Sequence, residues 1–395
     1  MKKPKVIDLF SGCGGFSKGF ESAGFENIIS NDFWEPAGKT FSHNHKLGKF
    51  ILGDITQSSV KKEIINNSKG CHVIVGGPPC QAYSMAGIRN VDDPRGKLFE
   101  DYLKIVRKIQ PKYFVIENVK GLLSMEHDKP GLNPTDQRKL NKIKKLEKLK
   151  DSLLLRRKQS LNTNQVKFNK SDSRILEDIK QELKEAKKNT SYLRVKVTDM
   201  IKKRFEKIGY DVKMDVLNAA NYGVPQKRER VIFIGSLNGL PIKFPDQTYQ
   251  QKINGTKDLF KSNLLNWKTV RESIDDIKNL PEDIEFNHIF TKCGKDFLRK
   301  IKNTKIGTSV YKGYSDAYFR SHPDEPSRTV KENHGGVFIH YEKDRFMTPR
   351  ELARLQSFDD DFFFKGTKSQ ILVQIGNAVP PTLGYNIAIN LKENL

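Results

Sequence analysis

The residue types able to do chemistry stand where strands end. Cys80 lies in "GGPPCQAYS" (76–84), on a turn stiffened by Pro78 and Pro79, directly after the apolar run "HVIVGG". A structural cysteine usually sits inside an element as a small hydrophobe. One on a braced turn at a strand end is placed to be a nucleophile, if its surroundings favour the thiolate; the bland alternative is a cysteine packed under a proline loop. Glu117, in "ENV", ends the strand-like run "KYFVIENV". A carboxyl there, partly desolvated beside a substrate, could act as an acid, or merely cap a helix. "QKRERVIFIG" carries Gln226, Arg228 and Arg230 into a strand. Alternation aims Arg228 and Arg230 at one face, where two guanidinium groups could clamp a base carbonyl and a phosphate, or form a solvated basic strand end.

A second group reads as a nucleotide pocket. "DLFSGCGGF" fits strand, glycine loop and helix, with Gly12 and Gly14 letting the backbone approach a ligand. Asp32 stands 20 residues after Gly12, at the end of the next strand, where an acidic group binds a ribose diol. Asp54 also follows an apolar run and could accept a hydrogen bond from an adenine amino group. These features favour an adenosine-containing cofactor without choosing between NAD and S-adenosylmethionine.

The elements that must position these residues alternate. Strands are expected at Lys5–Phe10, Asn27–Asp32, a run ending near Gly53–Thr56, His72–Gly77 and Lys112–Val119. Helices are expected at Phe16–Ala23 and at Leu98–Gln110, the latter stopped by Pro111, and later at Ser191–Lys207. Asp211–Leu217 and Arg230–Gly235 follow as strands. This alternation predicts an α/β fold with a doubly wound, mostly parallel sheet.

Between Asp128 and Thr190 the composition shifts to 18 Lys/Arg and 9 Asp/Glu, a net +9. Leucine and isoleucine at helical spacing on either side of "NTNQ" predict a basic helical hairpin inserted into the α/β domain. A tolerated, solvated insertion is the favoured reading; contact with a DNA backbone is the sharper one. The whole chain has 395 residues and a formal charge of +23, which permits a polyanionic partner but does not require one. Four cysteines without C-x-x-C spacing argue against a zinc site and a disulfide framework, so no metal is expected. No apolar run approaches the ~18 residues of a membrane span; a soluble, cytoplasmic protein with no membrane partner is expected.

Taken in order, "DLFSGCGGF", "GGPPCQAYS", "ENV", "QKRERVIFIG", "RELARLQSF" and "GNAVPP" resemble the motif set of DNA cytosine-5 methyltransferases, in the style of bacterial restriction–modification enzymes. The motifs run from Asp8 to Pro381, and the long basic insertion after Gly121 departs from compact members. The resemblance implies a methyltransferase that takes its methyl group from S-adenosylmethionine. Cys80 would attack C6 of a flipped-out cytosine in duplex DNA and Glu117 would protonate or hydrogen-bond N3. Arg230 would hold O2, supported by Arg228 and Gln226. It also implies cofactor contacts at Phe10, Asp32, Phe33, Asp54, Ile55, Pro79, Leu98 and Asn377, and a catalytic loop at about Gln81–Lys97. Phe33 stands where the family often has tryptophan, and neighbouring Trp34 is an alternative stacking partner. The implied organisation is a catalytic domain over residues 1–240 holding the 128–190 insertion, a smaller target-recognition domain over 241–367, and a segment 368–395 completing the first. A monomer is expected, sharing its site with a cognate restriction endonuclease without a stable complex. An NAD-dependent oxidoreductase would leave the Pro–Cys–Gln turn unexplained. A methyltransferase acting on structured RNA would not need the long segment between "RVIFIG" and "RELARLQSF".

Overall fold

The computed structural model describes residues 2–79, 96–129, 131–162, 168–251, 263–311, 318–332 and 338–395. They fall into two compact units, one of residues 1–79, 97–120 and 204–395, the other of residues 80–96 and 121–203.

The larger unit is built on a seven-stranded sheet. In chain order its first strands are β1 (Lys5–Leu9), β2 (Glu26–Asp32), β3 (Lys49–Leu52), β4 (Val73–Gly76) and β5 (Tyr113–Val119). A short pair in the second unit, β6 (Glu126–Asp128) and β7 (Arg194–Lys196), precedes the last two, β8 (Tyr210–Asn218) and β9 (Glu229–Leu237). The sheet order is β3-β2-β1-β4-β5-β9-β8. The first five strands are parallel, and β9 runs antiparallel to both β5 and β8. Strands β1, β4 and β5 are nearly continuous in Val, Ile, Leu and Phe because both faces are covered. The order reverses between β1 and β4, and open α/β sheets bind ligands at such a switch, outside the carboxyl ends of the strands.

Helix α1 (Gly15–Ser22) packs against the helix Pro381–Lys392 with almost no separation. A Cβ on Gly19 would lie 2.4 Å from the Pro381 carbonyl oxygen, and one on Gly15 would lie 2.3 Å from that of Val379. Phe16, Phe20, Leu383, Ile387 and Leu391 then share one core with Val6, Val73 and Val115 of the sheet. Residues 241–367 lie in this same unit, and they share a second core with the helix Lys368–Asn377: Val270, Phe319, Phe338, Leu352 and Phe358 meet Ile371 and Ile375 there.

The insertion forms a helical hairpin, Pro134–Asn162 and Lys170–Thr190, around Leu140, Ile143, Leu153, Leu176, Ile179 and Leu183. Asn169 and Asp172 form a reciprocal capping box at the start of the second helix. The β6–β7 ribbon, with His127 opposite Val195, closes its base. The helix expected at Ser191–Lys207 therefore begins only at Val197: Ser191–Leu193 is a short 3-10 turn and Arg194–Lys196 is held as a strand by β6. Among the described residues no helix is long and apolar enough to cross a membrane.

Candidate active site

Glu117 and Arg230 meet because of strand register. Arg230, the second residue of β9, lies directly opposite Val119 of β5, and Glu117 is two residues back on the same face. That makes them a diagonal cross-strand pair, and Arg230 Nε lies 2.7 Å from Glu117 Oε1. Arg230 Nη1 donates to the Glu229 carbonyl. The antiparallel sense of β9 is what brings its first residues to the carboxyl edge of the parallel strands. Glu117 Oε2 faces Gly77, where an added Cβ would stand 3.2 Å away, so the strand tip of β4 leaves room for the carboxyl.

Asn118 has a role that sequence reasoning missed. Its side-chain amide donates to the Pro78 carbonyl at 2.9 Å, tying the end of β5 to the proline turn. The signal was its place in "ENV", read only for the glutamate. Cys80 and the expected loop residues Gln81–Arg95 lie outside the described residues.

Gln226 and Arg228 do different work from Arg230. Arg228 lies one residue before β9, near enough to Arg230 and Glu117 for both charges to act on it. The residue is 2% exposed, and its guanidinium donates to the carbonyls of Val330, Gly376 and Ala378. Burial, and secondarily the Arg230 charge, pushes its pKa down to about 9. Gln226 is wholly buried: it donates to the Leu355 carbonyl and the Gln356 side chain, and accepts from Val330 N–H. Both residues brace the segments around 330, 356 and 377.

The nucleotide-type residues gather at the tips of β1, β2 and β3. Phe10 and Gly12 have φ of 57° and 54°, and a Cβ on Gly12 would meet nothing within 4 Å. Asp32 Oδ2 accepts from Gly12 N–H and Oδ1 from Trp34 N–H, both at 2.9 Å. Burial pushes its carboxyl above the usual range against these bonds. Phe33 is 74% exposed, a ring with no aromatic partner among the described residues, beside that carboxylate in sequence. Asp54 is exposed, with Oδ1 accepting from Thr56 N–H, while Ile55 is buried. Pro79 and Asn377 are exposed and Leu98 is half-buried. Open space before a left-handed glycine turn, an acidic strand tip and a free aromatic ring fit the ribose and adenine of an adenosine cofactor.

Gly14 has φ 97° and caps α1; a Cβ there would fall 2.2 Å from His45 Nε2. Beneath the loop, Asp8 is buried and accepts from Ser17 N–H and Ser17 Oγ. A recess of about 760 Å³ elsewhere in this unit, lined by Tyr249, Lys268, Glu272, Arg354 and Asp360, contains none of the expected site residues. Among the described residues no cluster of His, Cys, Asp and Glu could hold a metal ion.

Sheet order and strand-tip site define a methyltransferase-type α/β fold, and solved structures share it. A putative DNA modification methyltransferase encoded within an Escherichia coli prophage aligns with a TM-score of 0.65 at 21% identity over 99% of each chain. The Entamoeba histolytica methyltransferase EhMeth aligns at 0.56 and 17%, over 100% of this chain and 99% of that one. The chain belongs to the C-5 cytosine-specific DNA methylase family, whose family model matches residues 4–150 and 163–393. The type II methyltransferase M1.HphI of Haemophilus parahaemolyticus is 31% identical over 97% of this chain and 85% of its own length. M.NgoPII of Neisseria gonorrhoeae is 30% identical over 99% and 96%. The protein is thus a DNA cytosine-5 methyltransferase.

Proposed function

We propose that this enzyme takes its methyl group from S-adenosylmethionine and uses Cys80 as its nucleophile. Its target is a cytosine flipped out of a specific duplex sequence, and it is the protective half of a type II restriction–modification system. The observation that carries this reading is the 2.7 Å Glu117–Arg230 pair beside the Asn118-braced proline turn, the turn that leads straight into Cys80.

Asp32 accepts the ribose hydroxyls, Phe33 stacks on the adenine and Asp54 accepts its amine. Phe10, Ile55, Pro79 and Leu98 form apolar walls, with Asn377 and the backbone at Gly12 and Gly14 at the rim. S-adenosylmethionine supplies an electrophilic methyl group there. The Cys80 thiolate adds to C6, forming a C6–S bond, while Glu117 donates to N3 and Arg230 to O2. The displaced electron pair makes C5 nucleophilic, and C5 would take the methyl group as its bond to the sulfonium sulfur breaks and the neutral thioether leaves. A base removes the C5 proton, the C5–C6 double bond returns and the C6–S bond breaks. Flipping the base costs about a few kcal/mol in lost stacking and pairing.

Residues 241–367 read the target sequence and 368–395 complete the catalytic domain. The enzyme works as a monomer in the bacterial cytoplasm, and a cognate endonuclease acts on the same site without a stable complex. DNA with 5-fluorocytosine at the target tests the chemistry, because fluorine cannot leave as a proton does. Wild type should form a stable adduct and Cys80→Ala none; an adduct with the variant, or none with wild type, removes Cys80 from the role.

A further inference from the structure

The charge of the insertion is concentrated on one helix. Pro134–Asn162 carries ten basic and three acidic residues, whereas Lys170–Thr190 carries six and five. On and beside its packed side, cations of the first helix are matched. Lys142 pairs with Glu182 at 2.7 Å, Lys144 with Asp128 at 2.6 Å and Arg156 with Asp172 at 3.2 Å. The side away from Leu140, Ile143 and Leu153 is different. Arg138, Asn141, Lys145 and Lys148 stand there at spacings of three and four, which keeps them in one row. All four are exposed, and no acidic side chain among the described residues pairs with the three cations. A recess of about 560 Å³ lies along the row and is lined by these four with Lys142 and Lys144.

A solvated helix face ordinarily mixes signs or forms i,i+4 pairs. A one-sign row repels itself in the free protein, and a polyanion relieves that repulsion. From residue 138 to 148 the row runs about 15 Å. Duplex DNA presents a phosphate on each strand every ~3.4 Å of axis, so three cations can each meet one. We propose that the row of Arg138, Lys145 and Lys148 is a second DNA-contact surface, gripping the phosphate backbone outside the recognition sequence. This replaces the expected ornamental insertion with a binding element, and it rests only on duplex DNA being the substrate.

The full chain carrying Arg138→Gln, Lys145→Gln and Lys148→Gln tests it, since none of the three touches the hairpin core. Affinity is measured across salt for a long duplex with the target at its centre and for one trimmed to the target. On the long duplex, log affinity against log salt should become shallower by about two to three units, at ~0.9 per phosphate. The trimmed duplex, the methylated cytosine and the single-turnover rate at saturating DNA should not change. Arg138→Lys, which keeps the charge, and Lys180→Gln, whose ammonium pairs with Glu177, should leave the slope in place. An unchanged slope for the triple variant overturns the proposal, as does an equal loss on the trimmed duplex or a changed target. Failure of wild type to methylate would count against the functional reading instead.

Discussion

At the scale of single residues, three polar groups within or near one strand edge have separable duties. In the proposed mechanism Glu117 is the acid toward N3, so Glu117→Gln should slow single-turnover methylation by ~10²–10⁴-fold, the usual span for one acid–base group, with cofactor affinity little changed. Arg228 is bound to three buried carbonyls. Its loss leaves acceptors unmade at about 1–3 kcal/mol each, so Arg228→Ala should lower Tm strongly, whereas Arg230→Ala should keep Tm and lose turnover. Equal Tm for the two variants would refute that division. Asp8 gives a pH signature: burial outweighs its bonds from Ser17 and pushes its carboxyl from 3.8 up to about 7. Between those values the folded chain holds a proton that the unfolded chain has released, so this contribution to stability falls as pH rises from about 4 to about 7. Asp8→Asn keeps an acceptor for Ser17 and should flatten that part of the Tm–pH curve. A slope that persists would belong to another group.

At the scale of elements, the glycine loop is tightly constrained at Gly14. A side chain at Gly14 meets two obstacles, a φ of 97° and the His45 ring. Left-handed backbone alone costs about 1–2 kcal/mol, and 1.4 kcal/mol is about tenfold in affinity. Gly14→Ala should therefore weaken S-adenosylmethionine binding about tenfold or more in calorimetry, and His45→Ala should restore part of it. No rescue would show that His45 is not the obstacle. The five parallel strands, the acidic tip at Asp32 and the place of Glu117 at a strand end were legible, because each depends on a local run of apolar residues and where it stops. Three things were not. The burial of Arg228 against the carbonyls of Val330, Gly376 and Ala378, over 100 residues downstream, has no local signal. The stretch 194–196 has helical spacing but is claimed by β6, 68 residues upstream. Asn118 acts on Pro78 across a strand boundary that no spacing rule shows.

At the scale of the molecule, the first and last elements of the larger unit form one core. Leu383, Ile387 and Leu391 are each at most 2% exposed, against Phe16, Phe20 and Val6. At about 1.5–3 kcal/mol per buried side chain they contribute about 5–9 kcal/mol, comparable with the whole stability of an ordinary domain. Deleting residues 381–395 should abolish cooperative unfolding and methylation together; a cooperative melt in the truncated chain would contradict this. The same contact has a consequence in time. The bare face of α1 at Gly15 and Gly19 waits for a helix whose residues leave the ribosome some 360 positions later. Until then the loop at Gly12 and Gly14 has no finished support. A prematurely terminated chain that lacks this helix should consequently mark no DNA.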